Sequence, residues 1–70
     1  MAEVTMFYDR EGQTLTVWFM DRSGEHTCEE TGDEVVLIKD VAGRVIGVEK
    51  LNFSIPQSDS LRVALETVPA

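Results

Sequence analysis

The chain has 70 residues, of which thirteen are acidic and six basic, for a formal charge of −7. A chain of that length forms one domain (residues 1–70) and buries only about 60% of its unfolded surface, so it is marginally stable alone. The acidic balance repels phosphate backbones, and no Lys/Arg cluster offsets it, which argues against nucleic-acid binding.

Other classes fall away on similar grounds. The single cysteine, Cys28, excludes an intramolecular disulfide. No run reaches the ~18 apolar residues that a membrane span needs, and no basic-then-apolar export signal opens the chain. These observations predict a soluble, cytoplasmic protein.

In chain order, the first expected strand is residues 4–8 and the second residues 14–19, both rich in Val, Thr and aromatics. Residues 20–34 are polar and carry no helical apolar stripe, so they read as a loop with a short edge strand around residues 26–30. The third strand is residues 35–39 and the fourth residues 44–51. Residues 54–60 hold Pro56 and three serines and read as a connection. The tail, residues 61–68, fits a strand through the alternation of Leu61, Val63 and Leu65. It also fits a helix through the stripe Leu61, Ala64, Leu65 and Val68. Its β-branched Val63, Thr67 and Val68 and the lack of a capping box favour the strand. The expected fold is therefore mainly β, a small antiparallel sheet of two hairpins plus a C-terminal strand, with an α+β fold ending in a helix as the alternative.

The two hairpins share one signature. Aligned on Asp9 and Asp40, Gly12 falls with Gly43, Phe7 with Ile38, Leu15 with Ile46, and Val17 with Val48. Asp opens a type I turn by accepting a backbone N–H from further along the turn. A following left-handed residue reverses the chain, and glycine adopts that conformation without steric cost. Gly12 and Gly43 are thus expected to be left-handed. Asp9 then faces Gln13 and Asp40 faces Arg44, an oppositely charged pair. Two unrelated turns are the plainer alternative, since Asp and Gly are common in turns.

In that register Thr5, Phe7, Leu15, Val17, Phe19, Val36, Ile38, Ile46 and Val48 share one face. Val4, Met6, Tyr8, Trp18, Val35, Leu37, Val45 and Leu51 share the other. A small antiparallel sheet normally has one wet face; two apolar faces need two covers. A homodimer supplies the second and enlarges a marginal core, with Trp18 and Leu37 near the centre of the interface, Gly47 also part of it, and Glu49 paired at its margin. A tightly rolled monomeric barrel is the alternative.

The segments around Tyr8, Asp9, Asp40, Gly43, Arg44, Gly47 and Glu49 resemble the domain-of-unknown-function 2283 family of small prokaryotic proteins, over about residues 6–52. The chain departs from the family pattern in the first turn, where Gly12 and Gln13 stand in place of a further acidic residue. The resemblance implies the two-hairpin fold. It implies no activity.

Candidate chemistry is sparse. His26, Cys28, Glu29 and Glu30 lie close together, but a structural zinc site wants four ligands and usually paired spacings. One Cys and one His fall short, so neither a metal nor another cofactor is expected. His26 as base for a Cys28 nucleophile would need a geometry that neighbours two apart on a loop rarely hold. No phosphate-cradling glycine loop occurs, and no catalytic residues are assigned.

Glu49 is the odd choice, a carboxylate on an apolar face, expected opposite Val35 with Gly47 opposite Leu37. One reading is a small pocket with an acid at its edge. The other is a strand-end Glu paired with Lys39, Lys50 or a partner's arginine, with Gly47 making room for Trp18 or Tyr8. The functional expectation is an interaction or structural module acting as a homodimer. The alternative is a small-ligand or metal-binding protein with carboxylates at the site.

Overall fold

A computed structural model describes residues 2–69. Five strands form one antiparallel sheet: β1 (Thr5–Asp9), β2 (Thr14–Trp18), β3 (Thr27–Glu30), β4 (Val35–Lys39) and β5 (Val45–Lys50). Their spatial order is β1-β2-β5-β4-β3. Both expected hairpins are present, and the short edge segment is a full member of the sheet. The C-terminal strand is not: residues 61–69 have no regular secondary structure, so the helical alternative does not form either. The tail meets no ladder, so its alternation has nothing to pair with.

The register corrects the expected one by a single residue in each hairpin. Asp9 pairs with Thr14, Tyr8 with Leu15 and Phe7 with Thr16, so the first turn spans four residues rather than three. In the second hairpin Asp40 and Arg44 do face each other, through an Asp40 N–H to Arg44 carbonyl bond of 3.0 Å. A bulge follows: Lys39 pairs with Val45 but Ile38 with Gly47, leaving Ile46 as the extra residue. A one-residue slip sends every later side chain to the opposite face. Thr5, Phe7, Thr16, Trp18, Val36, Ile38, Gly47, Glu49 and Cys28 therefore share the first face. Met6, Tyr8, Leu15, Val17, Val35, Leu37, Val48 and Lys50 share the second.

Residues 19–26 carry the chain from β2 to the far edge of the sheet, passing the ends of β5 and β4. The N–H groups of Phe19 and Met20 donate to the Ile46 carbonyl (2.8 and 3.3 Å), and the His26 N–H donates to the Lys39 carbonyl (2.8 Å). A single 3-10 turn, Arg22–Gly24, sits within the crossing and is capped by Asp21, whose carboxylate accepts the Ser23 N–H. That hydrogen bond, chiefly, holds the Asp21 carboxyl below its ordinary value. Gly24 lies against the Ile46 side chain, which is 1% exposed. Ile46, Val36 and Ile38 are the buried apolar residues among those described.

Two further locks close the sheet. At one, the left-handed Glu34 (φ 60°) presents its carbonyl to the Leu51 N–H (2.7 Å), and its carboxylate accepts from Asn52 and Lys50. Those two donors hold the Glu34 carboxyl below its ordinary value, Asn52 first. At the other, Tyr8 meets Phe53 edge-on at 5.6 Å and accepts the Ile55 N–H at 3.0 Å. The Arg10 guanidinium lies 5.5 Å from the Tyr8 ring centroid and donates to the carbonyls of Pro56 and Asp59. Beyond Asp59 the chain leaves the sheet.

Candidate functional site

The first face holds a shallow groove of about 290 Å³ between Trp18, Ile38 and the crossing segment. Its floor depends on one glycine. A Cβ at Gly47 would stand 2.9 Å from Trp18 Cε3, 3.0 Å from the Val17 carbonyl and 3.4 Å from Ile38 Cδ1. The indole therefore rests on the glycine. The expected hole opposite Leu37 is instead a space opposite Ile38, and Trp18, not Tyr8, fills it.

Glu49 stands one pair further along, between Thr16 and Val36 rather than opposite Val35. The Thr16 hydroxyl donates to Glu49 Oε2 at 3.3 Å. The expected pairing with Lys39 or Lys50 does not form. Lys39 pairs with Glu29 and Lys50 with Glu34 at 3.2 Å. Both lysines are on the second face, so the sheet separates them from Glu49. Among the described residues Glu49 makes no ion pair.

Cys28 borders the same groove, paired across the ladder with Ile38. Its thiol donates to Glu25 Oε2 at 3.3 Å. That bond first, then burial, then the charges of Glu25 and Glu49, push the thiol above its ordinary value. Thiolate is the reactive and metal-ligating form, and this setting favours the thiol. The hydrogen-bond partner of Cys28 is a carboxylate rather than His26. Among the described residues no three His, Cys, Asp or Glu side chains converge as a metal site requires.

Arg22 and Glu25 reach the groove from the crossing segment, with the Arg22 guanidinium 5.1 Å from the centroid of the Phe7 ring. Sequence periodicity could not place either one, because irregular backbone carries no period. A wider cleft of about 630 Å³ adjoins the groove between residues 2–5 and residues 19–22.

Of the four residues expected at an interface, the structure brings Trp18, Gly47 and Glu49 together and puts Leu37 on the opposite face. There Leu37 belongs to a row that runs across four strands: Met6 beside Val17, Val17 beside Val48, Val48 beside Leu37. The row crosses the middle of the sheet, yet none of its members is buried. Tyr8, Leu15 and Val35 extend the apolar surface on the same side. The turn residues are where the sequence put them, except that Gln13 (φ 57°), not Gly12, is left-handed; Gly43 is left-handed at φ 84°.

The family model described as "Protein of unknown function (DUF2283)" matches residues 5–54, which span all five strands and the Tyr8–Phe53 contact. No curated protein and no solved structure matches the chain. No helix among the described residues is long and apolar enough to cross a membrane.

Proposed function

The chain belongs to the DUF2283 family, whose description assigns no activity, and we propose that it is an interaction module working as a homodimer through the second face of its sheet. The half-exposed Met6–Val17–Val48–Leu37 row carries this reading. Apolar side chains in mid-sheet are normally covered. A compact chain of this mass exposes about 4,400 Å², whereas this one exposes 5711 Å². The excess, about 1,300 Å², belongs to the whole chain, the exposed residues 61–69 included. The radius of gyration, 13.6 Å, likewise exceeds the ~11 Å of a compact chain of this length. The free Cys28 fits a reducing, cytoplasmic setting.

Sedimentation at micromolar concentration tests the reading. The expected species has twice the chain mass of 7.8 kDa, and Leu37→Asp splits it by placing an unpaired carboxylate in the interface. A folded 7.8 kDa wild-type species would sink the proposal.

A second reading, a small-ligand site, draws on the Trp18–Glu49 groove. An aromatic wall with an unpaired carboxylate suits a small organic cation. Titration of Trp18 fluorescence with alkylammonium ions tests it, with loss of the response expected in Glu49→Gln.

A further inference from the structure

We propose that residues 61–68 form an arm that lies across the Met6–Val17–Val48–Leu37 row of a second copy of the chain. The proposal rests on the dimer reading above and names the contact that closes it.

The arm has a fixed root. Arg10 donates to the Pro56 and Asp59 carbonyls at 3.3 and 3.0 Å, and the Tyr8 hydroxyl accepts from Ile55 at 3.0 Å. These bonds pin the chain as far as Asp59 at the β1 end of the second face. Past that point three large apolar side chains stand in solvent, Val63 at 58% exposure, Leu65 at 91% and Val68 at 84%, while Leu61, at 37%, is still mostly covered. A tail that is meant to stay solvated is polar; this one is not.

The dimensions agree. In extended backbone Leu61, Val63 and Leu65 point one way, about 6.7 Å apart, and span about 13 Å. Four strands at ~4.8 Å spacing put Met6 and Leu37 about 14 Å apart. The arm thus matches the row in length and in chemistry.

Charge permits a second copy as the occupant. The chain carries −7, so two copies repel except where that charge is absent. The second face is such a place. It holds both lysines of the chain, each paired, Lys39 with Glu29 and Lys50 with Glu34, and Arg10 over Tyr8 at its edge. The arm is neutral as well, with Arg62 and Glu66 as its charged residues. Each copy presents one arm and one row, so a two-fold axis satisfies both.

The test uses the full chain with Val63→Asp and Leu65→Asp together. Both side chains are exposed in a single copy, so the fold of the subunit is expected to survive, with an unchanged circular dichroism spectrum. The dimer dissociation constant is expected to rise at least 100-fold. Trypsin cleavage after Arg62 is expected to slow as wild-type concentration passes that constant. A double variant that dimerises like wild type, or cleavage indifferent to dimerisation, overturns the arm. The dimer reading survives that result if Leu37→Asp still dissociates the wild-type assembly. Should Leu37→Asp fail to fold, Met6→Asp at the sheet edge replaces it. A monomeric wild type overturns both proposals, and protection of Arg62 in that monomer would mean the arm folds onto its own sheet.

Discussion

At Asp9 one carboxylate oxygen accepts one backbone N–H, from Gly12 at 2.9 Å, and the side chain stays in solvent. At Asp40, also three places before a glycine, the carboxylate accepts from the Ala42 N–H at 3.0 Å, the Arg44 N–H at 2.9 Å and Arg44 Nε at 2.9 Å. Asp40 is buried. The second turn closes the hairpin at the centre of the sheet, beside the bulge and the crossing segment; the first closes an edge hairpin. The glycines differ too. Gly43 is left-handed, and a Cβ there would meet nothing within 4 Å. Gly12 is not left-handed, and a Cβ there would stand 2.6 Å from Asp9 Oδ2. One glycine answers a backbone requirement and the other a steric one. The same three-residue spacing thus serves two different local structures, and only burial ranks them.

The largest test of that ranking is the aspartates themselves. Asp40→Ala is expected to lower Tm by on the order of 10 °C, and Asp9→Ala by less than about 3 °C. Equal losses by scanning calorimetry would break the comparison. The pH dependence has its origin in the same contacts. The Arg44 N–H, chiefly, holds the Asp40 carboxyl below its ordinary value of 3.8. A depressed folded value means stability that is complete above the unfolded value and lost as pH falls through the folded one. Wild type should therefore lose stability below about pH 4, with Asp21 and Glu34 contributing in the same direction. Acid titration of Asp40→Asn should show a shallower limb.

Next comes the left-handed glycine. Gly43→Val is expected to cost roughly 1–2 kcal/mol, all of it backbone strain, while Gly43→Asn costs a fraction of that. Urea midpoints that rank these two substitutions alike would remove the conformational argument. At the first turn the strained residue is Gln13, so Gln13→Gly is expected to stabilise by about 0.5 kcal/mol, the relief of a left-handed side chain less the added chain entropy. A lower midpoint for Gln13→Gly would mean that the two turns are not distinguished in this way. The smallest effect is a control outside both turns: Cys28→Ser, at an exposed position, should leave Tm within a few degrees.

Much of the strand content was legible because its causes are local. Enrichment in β-branched, aromatic and other apolar residues marks β1, β2, β4 and β5, and Asp9 and Asp40 announce reversals whatever lies around them. The edge strand Thr27–Glu30 was expected only as a short segment within a polar loop, and its pairing with β4 makes it a strand. The candidate site was half legible. Gly47 beside an aromatic, and Glu49 as a misplaced carboxylate, are visible as anomalies in an apolar run. Which neighbours they meet was not, because one extra residue in the first turn and one bulged residue at Ile46 reverse the parity of the strand residues beyond them. Trp18, Gly47 and Glu49 left the expected interface for that reason alone, while Leu37 kept its face.

The sequence by itself determined the strands, the two turns, the β class and the surplus of apolar side chains over what one small sheet can cover, since propensity, turn chemistry and composition act within a few residues. The tertiary structure decided the register, the passage of residues 19–26 past Ile46, the separation of both lysines from Glu49, and the release of residues 61–69 from the sheet. Each of these depends on contacts between residues far apart in the chain, where a shift of one position costs little locally and changes every partner.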